Sequence, residues 1–502
     1  MASVEKCFYE YFHRFAKSQG EKLFLFDEDR RYSASETFRE AIAIGNKLYA
    51  LGVREGSLVA LRCTRSVDAY LIFLALEFMG ATAILTNPYQ TVADFLREAE
   101  VDIRPDLTVT NEAAAGGIAA NGNWDIPGHG KLIIGDGKAD AVPLFPVGQD
   151  LGAPAVVVFT SGSTGKSKGA MLSQRAMLQY SEDSIVHPWH SADDVAIVTL
   201  PTQHGFALCL LVAAFVAGYA LFYPKDMHAE YTLECIEKYS ITRINGVPSY
   251  LYVLARANEV FHRDISSLRT GFTAGAPINP AQHRFIEDSL GIVLHPLYGM
   301  SESISISCTA PSDSPERRAT TVGKFHRNAG SIVGPDGKEL PAGKEGEICV
   351  SGPAILNGYY NDEANTSRSI DVLGRFHTGD LGYVDEDGYL HISGRIKDII
   401  IRNGVNLSPV KIENAIRSIP GVEDASVVGL GHEMLGEAPC ALVVMEEGHG
   451  MTEERLKKLL STRLAKNAIP VSILFSSELP LNRIGKPDKK KVKEWFHEWI
   501  FG

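Results

Sequence analysis

The sequence predicts an α/β protein with a large N-terminal domain built from several sheets, followed by a small C-terminal α+β domain. Three observations carry this. Apolar strand-like runs alternate with helical patterns through most of the chain, as βαβ units and largely parallel sheet require. The 502 residues suit about two to four domains rather than one core. After "GRIKDIIIRNG" the pattern changes to short strands and helices with a core of their own. The boundary is placed at Gly394-Arg395, giving domains 1–394 and 395–502.

The elements follow in order. Ser33 and Glu36 form a capping box that opens the helix "ETFREAIAIGNKLYALG", which Gly52 closes. "DAYLIFLALEFMGATAILTN" repeats helix, glycine, strand. Residues 112–123, "EAAAGGIAANGN", are small and polar enough to form a surface loop. Residues 206–223, "FALCLLVAAFVAGYALFY", carry no charge and reach the length of a membrane span. Gly218 followed by "YALFYP" makes them a buried helix turning into a buried strand instead. In the last hundred or so residues, "DASVVGL", "CALVVM" and "SILF" read as strands, with helices at 409–418, 452–466 and 488–498.

Composition narrows the function classes. A net charge of −12 argues against nucleic acid as a partner, because a phosphate backbone calls for a basic face. The seven cysteines lie far apart with no CxxC pair, which predicts reduced, buried thiols rather than disulfides or a zinc site. The first residues are charged every few positions and lack an apolar core, so no signal peptide is expected and the location is read as cytoplasmic.

One loop poses the chemical question. "TSGSTGKSKG", residues 160–169, follows the strand-like Val156-Val157-Val158-Phe159. Its glycines let backbone N–H groups converge on an anion, and its hydroxyls and lysines add donors. Gly165-Lys166-Ser167 supplies the end of a Walker A pattern, but the first glycine of that pattern would fall on Thr160. Phosphate binding is therefore expected without Walker A chemistry.

Together with "LYGMSES" (297–303), "TGD" (378–380), "GRIKD" (394–398) and "NRIGKPD" (482–488), this loop resembles the adenylate-forming, AMP-binding superfamily. That superfamily holds acyl-CoA synthetases, adenylation domains of peptide synthetases and luciferases. The motifs keep the family's order and spacing, and the likeness runs from about residue 10 to 495.

The resemblance implies an enzyme that joins a carboxylate to the α-phosphate of ATP, expels pyrophosphate and passes the acyl group to a thiol. Thr160, Ser161, Gly162, Ser163, Thr164, Gly165, Lys166 and Lys168 would hold the departing phosphates. Glu302 would help hold Mg²⁺, a hard ion that prefers oxygen ligands. Ser301, where the family usually has threonine, would contact the α-phosphate. Tyr298 would lie against the adenine, with Gly299 and Met300 beside it and Gly275-Ala276-Pro277 on the other face. Asp380 would accept from the ribose hydroxyls, supported by Arg395. Lys486 would be the catalytic lysine bridging carboxylate and α-phosphate.

Family members close the small domain for adenylation and then turn it for thioester formation. The C-terminal domain is thus expected to be mobile, with Lys397 at the hinge. Gly404 would come to the thiol entrance; by itself "RNGV" is a good hairpin turn, and both readings can hold. Read singly, a Tyr after a strand is core, TGD is a turn, and a lone Glu is solvated.

Departures from the family are small. Ser167 replaces a common proline, and Lys411 stands where glutamate is frequent, with Glu413 retained. "PTQHGFALCLL" occupies the position beside the acyl pocket. His204 is followed by Gly205 and Phe206, with no acid to pair a substrate ammonium, whose burial alone would be costly. An ordinary carboxylic acid, fatty or aromatic, is favoured, with Gly205, Phe206, Cys209, Val247, Thr273 and Met300 as pocket lining and His204 orienting the carboxylate. CoA is the leading acceptor. The alternatives are a stand-alone enzyme that loads a phosphopantetheinyl carrier protein and, remotely, a P-loop kinase or non-catalytic nucleotide binder.

Overall fold

The computed structural model describes residues 6–110, 123–126, 130–133, 142–145, 149–160, 167–186, 189–326, 329–432, 434–446, 448–481 and 487–501. The expected surface loop 112–123 lies almost wholly outside these residues. By contact the chain forms two units: Met1–Gly275 with Ala281–Gly330 and Val350–Phe376, and Ala276–Pro280 with Ser331–Cys349 and His377–Gly502. The strand Leu390–Arg395, on which the 394/395 break was placed, groups with the residues that follow it.

The first unit holds two large sheets. One has nine strands, in the order Lys324–Phe325, Ser303–Cys308, Val293–Met300, Thr270–Thr273, Arg243–Gly246, Val195–Ile197, Ala220–Phe222, Leu23–Phe26 and Arg31–Ser33. Its six strands from Val293–Met300 to Leu23–Phe26 are all parallel. The other has eight, with Pro154–Thr160, Thr82–Thr86, Leu58–Arg62 and Leu107–Thr110 parallel at its centre. The helix Val67–Met79, buried along its whole length, and the helix Gly205–Ala217, almost as buried, belong to one core cluster.

That burial explains the uncharged stretch. Gly218 ends the second of these helices in the left-handed conformation (φ +80°), and the buried strand Ala220–Phe222 follows, as the sequence indicates. No described helix is long and apolar enough to cross a membrane. The Ser33–Glu36 capping box is present, with Ser33 Oγ accepting from Glu36 N and Glu36 accepting from Ser33 N.

The second unit has a four-stranded sheet, Ala329–Val333, Gly346–Ser351, Phe376–Val384 and Leu390–Arg395. Its other sheet orders Val405–Leu407, Ile400–Arg402, Gly436–Met445 and Val422–His432, with Ser472–Ser476 parallel to Gly436–Met445. Helices Pro409–Arg417 and Glu453–Leu460 cover one face, where Ile412, Ile416, Leu456 and Leu460 are buried. Lys489–Phe501 contributes Val492 and Phe496 to a separate cluster.

Candidate active site

In the first unit, the candidate residues collect at the carboxyl ends of the parallel strands, where open α/β sheets place their ligand crevice. Gly246, Thr273 and Pro296 stand in register across three adjacent strands. Val247 and Gly275 come directly after two of these strand ends, and Tyr298 and Met300 extend the third. Thr273 is buried, and its hydroxyl has no hydrogen-bond partner among the described residues.

Ser301 and Glu302 form the tight turn between Val293–Met300 and Ser303–Cys308. Gly299 is required here, because a Cβ would lie 2.6 Å from the Ile304 carbonyl oxygen on the facing strand. Gly205, the first residue of its helix, allows a second close approach: a Cβ there would be 3.0 Å from Ile304 and 3.5 Å from Ser301 Cα. The glycine at 205 thus lets the start of its helix lie against Ser301. His204 occupies the N-cap position without a side-chain cap hydrogen bond. Cys209 lies deeper: it is fully buried, and its Sγ contacts the Phe206 carbonyl oxygen at 3.0 Å.

Glu302 is only 7% exposed, which contradicts the solvated reading of a lone glutamate. The Tyr359 hydroxyl donates to its Oε1 at 2.9 Å, and Leu356 N–H donates to its carbonyl at 2.7 Å. Burial and the Glu302 charge both push the Tyr359 hydroxyl well above its ordinary range, so it stays a donor. Lys168 Nζ lies 4.7 Å above the Tyr359 ring. Tyr359 is in turn fixed by pairing with Ala170, on the strand that leaves the glycine loop. Tyr359 is the residue that sequence reasoning missed. Its partner is 57 positions away, and no local pattern announces the contact.

Thr160 and Lys168 face each other across the base of the glycine-rich hairpin. Ser161, Gly162, Ser163, Thr164, Gly165 and Lys166 lie outside the described residues, as does Lys486. On either side of residues 482–486, Leu481 bridges Pro487, and Asp488 N–H donates to the Pro480 carbonyl at 2.7 Å.

The second unit contains Ala276, Pro277, Asp380, Arg395, Lys397 and Gly404. Asp380 does not sit in a simple turn; "TGD" falls inside the strand Phe376–Val384, with Gly379 left-handed at φ +71°. Thr378 donates to the Ile348 carbonyl (2.7 Å) and accepts from Asp380 N–H (3.0 Å), while Gly379 N–H donates to Glu347 (3.0 Å). Arg395 stands opposite Asp380 in the ladder, with Nε 2.8 Å from Asp380 Oδ1.

Arg395 leads into the short helix Ile396–Asp398. Lys397 is exposed there, though partial desolvation and the neighbouring Arg395 pull its ammonium pKa down. Asn403 (φ 51°) and Gly404 (φ 75°) form the hairpin turn expected of "RNGV".

A family model described as "AMP-binding enzyme" matches residues 12–360, and one described as "AMP-binding enzyme C-terminal domain" matches 411–486. The chain is 35% identical to an indoleacetate–CoA ligase of Aromatoleum aromaticum over 362 residues, 71% of this chain and 70% of that protein. It is 32% identical to a feruloyl-CoA synthase of an Amycolatopsis species over 481 residues, covering 92% and 93%. Its structure resembles ATP-bound MatB from Rhodopseudomonas palustris with a TM-score of 0.83, at 26% identity, covering 98% and 100%.

Proposed function

Because the chain belongs to the AMP-binding enzyme family, we propose that it is an AMP-forming acid–thiol ligase that activates an aromatic carboxylic acid and passes the acyl group to CoA. The observation that carries this reading is Glu302. It is a buried carboxylate held by Tyr359 in a turn at the carboxyl ends of parallel strands. The aromatic acid is favoured by the ligases of indoleacetate and ferulate that the chain resembles, and the absence of an acidic residue at Gly205-Phe206 argues against an amino acid.

Glu302 suits Mg²⁺, since one or two carboxylate oxygens suffice for an ion that keeps several of its waters. When bound, that ion neutralises charge on the phosphates. The remaining steps belong to the chain. Thr160 to Lys168 hold the β- and γ-phosphates, Ser301 the α-phosphate, and Tyr298 the adenine, with Gly275 to Pro277 opposite. Asp380 and Arg395 hold the ribose. His204 orients the carboxylate, and Lys486 draws it to the α-phosphate for in-line displacement of pyrophosphate. The residues after Lys397 then reorient, and the CoA thiol attacks the acyl-adenylate beside Gly404, releasing AMP.

The test is to incubate the protein with ATP and Mg²⁺ and offer indole-3-acetate, ferulate, 4-coumarate and a fatty acid, with and without CoA. AMP and pyrophosphate formed with one aromatic acid, and stimulated by CoA, is the expected result. ADP as product would overturn the reading. Thioester formed only on a phosphopantetheinyl protein would move the acceptor from CoA to a carrier.

A further inference from the structure

Beside the "TGD" segment, three ligand atoms of three chemical kinds, none of them assigned to ATP, meet on the four-stranded sheet of the second unit. Glu347 and Cys349 stand two residues apart on Gly346–Ser351, so their side chains leave the same face. His377, on the neighbouring strand Phe376–Val384, meets them across the ladder. His377 Nδ1 is 2.8 Å from Glu347 Oε2 and 3.5 Å from Cys349 Sγ, and all three ligand atoms lie within 4.8 Å of one another. Cys349 is buried, whereas the Glu347 and His377 side chains are 22% and 28% exposed, so a cation can reach the cluster from solvent.

We propose that Glu347, Cys349 and His377 form a binding site for a borderline-soft divalent cation, Zn²⁺ or its analogue Cd²⁺, with water as the fourth ligand. Mixed thiolate, imidazole and carboxylate donors select such an ion over Mg²⁺ or Ca²⁺. Zinc bonds of about 2.0–2.3 Å place neighbouring ligand atoms of a tetrahedron roughly 3.3–3.7 Å apart. The sulfur–nitrogen separation already fits. The oxygen–nitrogen pair, now a hydrogen bond, has to open by about half an ångström to reach that range. Gly379 N–H holds the other carboxylate oxygen of Glu347 at 3.0 Å, the kind of outer contact that orients a metal ligand.

Binding breaks the hydrogen bond between His377 Nδ1 and Glu347. The Cys349 thiol gives its proton to solvent, the neutral imidazole carries its proton on Nε2, and no electron is transferred. The spacing of the cysteines carries no signal of this cluster, because the histidine arrives from another strand.

The test uses full-length protein stripped with a chelator. Cd²⁺ is titrated in while the thiolate-to-cadmium absorption is followed, and Zn²⁺ uptake is measured by equilibrium dialysis. The expected result is one ion per chain, with the absorption lost in Cys349→Ser. Glu347→Gln and His377→Gln should each weaken binding by at least the roughly tenfold that loss of an outer-shell partner costs. Far-ultraviolet circular dichroism checks the fold of each variant, and Cys349→Ala replaces the serine variant if that one misfolds. Failure of the wild-type protein to take up one equivalent, or absorption that persists without Cys349, overturns the site and leaves an ordinary Glu347–His377 hydrogen bond. Because uptake is read without turnover, this outcome is independent of the ligase assay.

Discussion

At the residue scale, the site turns on individual charges and the groups that hold them. Lys486→Ala removes one preorganised charge aimed at the transition state, which costs about 10²–10³ in rate, or roughly 3–4 kcal/mol. Adenylate formation, followed by pyrophosphate exchange, should collapse, while conversion of supplied acyl-adenylate to thioester persists. Equal loss of both half-reactions would contradict the assignment. Tyr359→Phe keeps the ring beneath Lys168 but removes the hydrogen bond from Tyr359 to Glu302. A hydrogen bond to a charged group is worth about 1.5–3 kcal/mol. Adenylation should therefore slow about tenfold or more, and half-saturation should need more Mg²⁺. An unchanged Mg²⁺ dependence would make Tyr359 a packing residue only.

At the element scale, two predictions follow from where residues fall in helices and turns. Glu77 sits in the buried helix Val67–Met79, and burial holds its pKa well above 4.5, with the Gln174 side chain opposing it more weakly. The folded state therefore keeps a proton that the unfolded state releases above that value. Stability falls as pH rises through this window by about 1.4 kcal/mol per pH unit. Glu77→Gln should remove that slope, so its melting temperature gains on the wild type from pH 5 to pH 7. A constant difference would show that Glu77 is ionised in the fold.

Gly404 belongs to a turn, and a Cβ there would meet no atom within 4 Å. Gly404→Leu therefore carries only the left-handed backbone cost of about 1–2 kcal/mol. It should spare adenylation and slow thioester formation; an undiminished thioester rate would leave Gly404 as a turn alone.

At the scale of the whole molecule, the core of the first unit is built around histidines held neutral. Burial is the main cause for His190, His283 and His295; Arg243 adds to it at His190 and His295, and His295 is pushed down to about 3. Arg243 is itself fully buried, paired with Asp194 at 3.0 Å between the rings of Tyr219 and Phe272. The unfolded chain protonates these histidines below about 6.5, whereas the folded chain does not. Stability is therefore full above that pH and declines as pH falls toward 3, by up to about 1.4 kcal/mol per unit for each histidine. Glu77 opposes with a single proton. Denaturant midpoints should drop between pH 7.5 and 5.5, and a flat profile would mean that the histidines already titrate in the fold.

The sequence alone determined the class of the fold and the identity of most candidate residues. Apolar runs closed by a glycine marked helices such as Val67–Met79 and Gly205–Ala217, because such a run is buried and then turns at the glycine. The resemblance of "TSGSTGKSKG", "LYGMSES" and "TGD" to motifs of the adenylate-forming superfamily pointed to adenylation, because each motif is complete within a few residues. Tertiary structure decided what depends on distant partners. It buried Glu302 and gave it Tyr359, placed "TGD" inside a strand locked by Glu347, and brought His377 to Cys349. These contacts join separate strands. A sequence records which groups are present, but only strand register sets which of them come within a few ångströms.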